Sequence, residues 1–334
     1  MNILLTSVGR RAYMVKYFQK ILAGTGEVHV CNSDDLTVAF QYADKSVISP
    51  LIYDSNYIPF LLEYCQKNKI SVLLSLFDID LLVLAKHKKE FESIGTKVVV
   101  SDEEFVSICN DKWETYLFLK NNGFNVPKTY LSLSDVRQAI DKGEINFPVI
   151  VKPRFGCGSI AMAIAEDEGA LTYLYNHAVK SIEKSYLKYE SAIAEEKIIF
   201  QEFLCGQEYG ADIINDLNGY HINAVIKKKI AMRAGETDIA ETVEKPEIKA
   251  VAQKLGRMSH HIGNLDCDIF EVNGVPYILE MNARFGGGYP FSHVAGCDLP
   301  GAIVKWCKGE KVPNEMLFAN IGVRAFKELT LSVY

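Results

Sequence analysis

Residues 268–284, DIFEVNGVPYILEMNAR, read as strand, turn and strand, and their spacing carries the chemistry. On the second strand Glu280, Asn282 and Arg284 stand at i, i+2 and i+4, so one face of the pleat holds all three. Asp268 lies an even number of residues before Glu280, and an antiparallel hairpin puts both on that face only if its connection contributes an odd count. A three-residue loop around Asn273-Gly274, with Gly in the left-handed position, is expected to supply it. Two carboxylates and an amide oxygen then converge, the hard-oxygen set that suits Mg²⁺ keeping water and phosphate oxygens as its other ligands; Asp266 shares the parity and could substitute. The plain alternative is the wet face of an ordinary hairpin, with Arg284 bridging to Glu280 at the surface.

Upstream features bear on that choice. Lys152 closes the apolar run PVIVK, and the following loop holds Gly156 and Gly158 beside Ser159. Glycines let backbone N–H groups approach phosphate oxygens and a lysine adds a point charge, although GxxxxGK[ST] is absent. Lys112 follows Asp111 at a helix start and is a second candidate cation. In IIFQEFLCGQEYGADI a strand runs into a short extended hinge. Such a hinge offers main-chain donor and acceptor groups to a purine edge, with Glu202 or Glu208 accepting from N–H or hydroxyl groups. Each element alone also fits a plain loop, a solvated lysine or an edge strand.

The first hundred residues alternate β-branched runs (NILLTSV, EVHVCN, ISVLLSL, KVVVS) with helix-period segments, as parallel βαβ winding requires. The turn after the first strand, Ser7-Val8-Gly9-Arg10-Arg11, has one glycine where a dinucleotide fingerprint needs three. Gly9 with Arg10 and Arg11 at a helix start could hold a carboxylate or phosphate, or be a tight turn with solvated arginines. Asp78 and Asp80 follow a strand end where open α/β sheets place ligands; Asp80 is expected to cap the next helix instead. Helices SDEEFVSICN and DKWETYLFLKNNG, the second closing on Gly123, mark a boundary near residue 110. Beyond Pro148 the chain turns β-rich, with one polar helical stretch over about residues 167–190.

Composition narrows the class. The chain has 334 residues, 49% hydrophobic and 23% charged, with 36 basic against 42 acidic side chains and a net charge of −6. Without a basic block, nucleic-acid binding by phosphate neutralisation is disfavoured. No apolar run approaches the ~20 residues of a membrane span, and arginines after the first apolar run are the wrong order for a signal peptide. Eight cysteines without CxxC spacing read as reduced thiols, which points to the cytoplasm.

Taken in order, Lys112, Lys152 with Gly156-Cys157-Gly158-Ser159, Gln201-Glu202-Phe203-Leu204 with Glu208, Asp268, and Glu280-Met281-Asn282-Ala283-Arg284 resemble the ATP-grasp superfamily. The likeness is to members similar to the carbamoyl-phosphate synthase large subunit, and to free-standing carboxylate–amine ligases. It implies an α/β fold, α+β in its C-terminal part: a Rossmann-like domain over 1–110, a small ATP-grasp subdomain with the phosphate loop over 111–190, and a large subdomain with the metal site over 191–334.

By the same resemblance Lys112 and Lys152 contact nucleotide phosphates, and Gly156, Gly158 and Ser159 close over them. Glu202, Phe203 and Leu204 line the adenine and Glu208 binds ribose. Asp268, Glu280 and Asn282 hold Mg²⁺, with Mn²⁺ able to substitute. Arg284, Lys152 and Arg233 are the implied catalytic set, Arg233 as part of a mobile loop near the acceptor. The implied reaction joins a small carboxylic acid to an amine, consuming ATP through an acyl phosphate and releasing ADP and phosphate. A bicarbonate-using carboxylase or carbamoyl-phosphate-forming enzyme and a non-catalytic ATP-binding module are the alternatives. No nucleic-acid or membrane partner is implied, and a homodimer is left open.

Overall fold

The computed structural model describes residues 1–156, 158 and 160–333. Its first part contains β1 (Asn2–Thr6), α1 (Ala12–Leu22), β2 (Val28–Asn32), β3 (Lys45–Ile48), α2 (Tyr57–Lys67), β4 (Ile70–Ser75), α3 (Asp78–Ser93) and β5 (Lys97–Val98). The strands form a parallel sheet in the order β3-β2-β1-β4-β5. Chain order reverses between β1 and β4, so the turns after these two strands, which carry Arg11 and Asp78, flank the crevice where such sheets bind ligands. The edge strand β3 is mostly exposed and carries no alternation to announce it.

Asp80 does not cap α3: Phe77 holds that position, and Asp80 lies inside the first turn. Its fully buried carboxylate accepts from the hydroxyls of Thr6, Ser7, Ser75 and Tyr57, tying together the carboxyl ends of β1 and β4. Burial raises its pKa against the pull of those donors.

Two helices lead onward, α4 (Glu103–Asn110) and α5 (Lys112–Asn121), capped by the side chains of Asp102 and Asp111. Next come β6 (Thr129–Tyr130), α6 (Leu133–Asp141), β7 (Val149–Pro153), β8 (Ala163–Ala165), α7 (Glu168–Glu183), α8 (Leu187–Glu190) and β9 (Ile198–Glu202). Their antiparallel sheet runs β6-β9-β7-β8, so the strand between β6 and β7 comes from beyond residue 190. Leu171, Ala178 and Ile182 of α7 close a separate core over it.

The last part contains β10 (Gln207–Asn215), β11 (His221–Arg233), β12 (Glu236–Thr242), α9 (Pro246–Ser259), β13 (Gly263–Val272), β14 (Val275–Asn282), α10 (Tyr289–Val294), α11 (Leu299–Cys307) and β15 (Arg324–Phe326). The sheet order is β14-β13-β10-β11-β12-β15, antiparallel throughout. The expectation of one helical stretch after Pro148 is corrected: α9, α10 and α11 interrupt the strands as well. α11 escaped because it is buried almost all round, from Leu299 through Val304, and so lacks a polar face to set its period.

The first and last sheets share their cores. Leu4, Leu73 and Phe105 pack in one cluster with Ile213, Cys267 and Met281, while Ile3 and Phe18 share another with Tyr289 and Ile303. The small sheet has its own core, and Glu190 of α8 ties it to the first part by accepting from Tyr53 and Asn110.

Candidate active site

A cavity of about 710 Å³ opens between the small sheet and the last one. Lys112, Lys152, Gly156, Gly158, Glu202, Phe203, Leu204, Glu208, Asp268, Glu280, Asn282 and Arg284, picked out from the sequence, all line it. Ser159 lies outside the described residues, as does Cys157. Arg233 does not line the cavity; its guanidinium binds Asp238 and the Lys327 carbonyl instead, on a half-exposed edge.

The floor follows from period two on four neighbouring strands. Glu208 and Asp212, Lys227 and Lys229, Asp266 and Asp268, and Glu280 and Asn282 point one way, while Tyr209, Ala211, Cys267 and Met281 pack into the core below. Asp268 pairs directly with Glu280, and Asp266 with Asn282. The three-residue loop expected to create this register is corrected. Val272 pairs with Val275 across the two-residue turn Asn273-Gly274, whose φ angles of +51° and +79° are those a tight hairpin turn requires, and the odd residue is a bulge at Leu279.

The cations hang from the opposite side. Lys152, on β7, is 5% exposed and donates to Gln201 Oε1 at 2.9 Å, and Gln201 is itself held by Thr129 at 3.0 Å. Burial pulls the Lys152 pKa down to about 8, with Lys112 adding to the pull and Glu280 and Asp268 opposing it. Lys112 donates through Nζ to the Gly156 carbonyl and through its backbone to Arg154 O at 3.0 Å. Arg154 forks onto Asp111 at 2.6–3.0 Å, so the residue capping α5 also anchors the start of the glycine loop.

Glu280 illustrates the balance of charges. Burial raises its pKa, but Lys112, Lys152 and Arg284 outweigh that and hold it below the usual carboxylate value. Asp268 and Glu208 move the other way, raised chiefly by burial, although both touch Lys229 at 2.6 Å. Lys229 was not anticipated. Burial disfavours its charge, yet the two carboxylates hold it well above the ordinary lysine value.

Arg284 does not bridge to Glu280. Its Nε and Nη2 donate to Asp78 Oδ2 at 2.9 and 2.8 Å, and Nη1 donates to Asp266 Oδ2 at 3.2 Å. Beyond it, Gly286 passes so close to Asp266 that a Cβ would lie 2.0 Å from Oδ2. At the hinge, Glu202 Oε2 accepts from the Lys128 N–H at 3.0 Å, while Phe203 is 39% exposed.

The donor set fits a divalent ion. Asp268 and Glu280 stand opposite in register with Asn282 two residues on, and Lys229 already places a positive charge against Asp268. Among the described residues no cluster of three or more His, Cys, Asp or Glu forms a self-sufficient metal cage. Two carboxylates and an amide suit an ion completed by phosphate and water.

Comparison with known proteins agrees with this geometry. A family model described as the ATP-grasp domain matches residues 109–288, and one described as the PylC-like N-terminal domain matches residues 3–99. The chain belongs to the ATP-grasp family. It is 23% identical over 301 residues to the carbamoyl phosphate synthase large chain of Clostridium perfringens, covering 86% of this chain and 26% of that relative. The corresponding protein of Methanosarcina acetivorans is 23% identical over 283 residues, with 79% and 25% covered, so the chain spans about a quarter of such relatives.

Among solved structures, biotin carboxylase from Campylobacter jejuni, in a β-γ-ATP complex, superposes with a TM-score of 0.73 at 16% identity, covering 96% of this chain and 73% of that one. The L-amino acid ligase of Bacillus licheniformis gives 0.72 at 16%, covering 96% and 78%. N5-carboxyaminoimidazole synthetase from Staphylococcus aureus, complexed with ADP, gives 0.70 at 16%, covering 94% and 78%. At these identities the likeness is one of fold.

Proposed function

We propose that the chain is an ATP-dependent carboxylate–amine ligase that forms an amide or peptide-type bond and releases ADP and phosphate. One observation carries this reading: Lys112 at the head of α5 and Lys152 on the small sheet face two carboxylates and an amide of the β13–β14 hairpin across one cavity, with a strand-to-strand hinge between them. In the reaction a carboxylate oxygen of the acid attacks the γ-phosphorus and ADP leaves. The amine then attacks the acyl carbon, phosphate leaves with its former carboxylate oxygen, and a proton is released.

Positioning and charge neutralisation are what phosphoryl transfer needs. Lys112 and Lys152 hold phosphate oxygens, Gly156 and Gly158 close over them, and Glu202 to Leu204 offer backbone groups to the adenine, the Glu202 side chain being tied to Lys128. Glu208 takes the ribose once Lys229 releases it. Asp268, Glu280 and Asn282 hold Mg²⁺ or Mn²⁺, which when bound neutralises phosphate charge. Arg284, aimed by Asp78 and Asp266, stabilises the transferring group. Among the described cysteines, burial raises the pKa of those at 31, 65, 109, 267, 297 and 307, so none of these six is prepared as a nucleophile.

In this reading residues 1–110 frame the acceptor side, the small subdomain closes over the nucleotide, and the last sheet carries the metal. The substrates are small molecules, in the cytoplasm. The test is phosphate release over a panel of acids and amines in pairs. Stimulation by one organic acid with one amine supports the reading, whereas stimulation by bicarbonate alone overturns it in favour of a carboxylating enzyme.

A further inference from the structure

The cavity runs past the metal face into an end that the nucleotide reading leaves unused. There the turn after β1, the turn joining β11 to β12 and the glycine run after Arg284 meet, bringing Arg11, Glu236, Gly287 and Phe291 to one lining. Arg11 comes from the N-terminal sheet and is locked from behind, donating through one nitrogen to the carbonyls of Leu76 and Phe285, the latter at 3.1 Å. Glu236 comes from the far edge of the last sheet and is steadied from outside by Lys327 at 2.9 Å.

The opposite charges do not meet. Arg11 and Glu236 feel each other, since Arg11 helps pull the Glu236 pKa down after burial and Lys327 have acted. Yet they form no ion pair with each other: Glu236 pairs with Lys327 instead, and Arg11 binds backbone carbonyls. Opposite charges anchored on separate elements, both lining one cavity and held apart, make a two-point receptor for a molecule carrying both signs. The glycine run leaves room for it: a Cβ on Gly287 would lie 3.1 Å from the Glu236 carboxyl carbon. Phe291 adds an apolar wall for a side chain.

We propose that this end binds the amine substrate as a zwitterion, a free amino acid whose carboxylate sits on Arg11 and whose ammonium sits on Glu236. This deepens the ligase reading and rests on it. Arg11 and Glu236 then determine specificity: a site built for two charges rejects analogues lacking either.

The test uses the full chain with Mg-ATP, its acid and three forms of the best amine: the free amino acid, its carboxamide and its methyl ester. The free amino acid is expected to give a kcat/KM at least about tenfold above the two esterified or amidated forms. Arg11→Gln is expected to erase that preference, and Glu236→Gln to raise KM for every form while retaining the preference for the free carboxylate. Equal rates with all three forms in the wild-type chain would overturn the zwitterion pocket while leaving the ligase reading intact. Absence of ADP formation with any pair, despite Mg-ATP binding measured by calorimetry, would instead overturn the ligase reading. Because Arg11 also joins two domains, Glu236→Gln on its exposed edge gives an independent check: an unchanged KM for the free amino acid also counts against the proposal.

Discussion

Glu280 is the residue on which most of the charge balance turns, since Lys112, Lys152 and Arg284 all act on it and Asp268 faces it across the hairpin. Glu280→Gln keeps the shape and removes the charge. ADP formation is expected to fall by about 10²-fold or more with the melting temperature nearly unchanged, measured by coupled assay and thermal unfolding. Lys152 gives a pH signature. Its folded pKa is about 8 against an ordinary 10.5, so between those values the folded chain has lost a proton that the unfolded chain keeps. By linkage this group's contribution to stability rises with pH across that window, while its hold on phosphate weakens. Titration calorimetry is expected to show Mg-ATP affinity falling as pH rises through about 8 in the free protein, and Lys152→Met to show a weaker, flatter profile.

The elements show which features could be read in advance. The shared face of Asp268, Glu280 and Asn282 was legible because a strand's period of two is rigid, and even a wrong turn length reached that face: the bulge at Leu279 supplies the odd residue that the Asn273-Gly274 turn does not. Lys227 and Lys229 alternate in the same way on β11, but three consecutive lysines do not show which of their faces is covered; Glu208 and Asp212 on the neighbouring strand decide it. Asp80 looked like a helix cap because a cap and a buried strand-end carboxylate share one sequence position; only the hydroxyls of Thr6, Ser75 and Tyr57, distant along the chain, decide between them. The glycine run after Arg284 belongs to this scale as well. Gly286→Ala must displace Asp266, and with it a partner of Arg284; a loss of about 1–3 kcal/mol in denaturant unfolding is expected, together with slower turnover.

At the scale of the molecule, the N-terminal sheet is part of the site. Asp78, at the head of α3, holds Arg284 through two hydrogen bonds, with both side chains under a tenth exposed, and the two sheets share continuous cores. No single segment of the sequence contains that link: 206 residues separate its partners. Asp78→Asn leaves a buried guanidinium with a weaker partner. Unfolding is expected to cost about 3 kcal/mol less than in the wild type, with kcat falling more than Mg-ATP affinity, because the proposed nucleotide contacts lie on other elements. The small sheet has its own core and is joined to the rest by the hinge, by the α5 cap and by Glu190 of α8, which accepts from Tyr53 and Asn110. No helix among the described residues is long and apolar enough to cross a membrane.

The central claim is that the carboxylate is activated as an acyl phosphate by γ-phosphoryl transfer. Mg-ATP and the correct acid, given without amine but with hydroxylamine, test it most directly. The expected products are a hydroxamate and ADP in equal amounts, with trapping strongly depressed in Arg284→Lys because a point charge does not reproduce the planar fork aimed by Asp78 and Asp266. Appearance of AMP and pyrophosphate in place of ADP and phosphate would contradict the account, since the activated species would then be an adenylate.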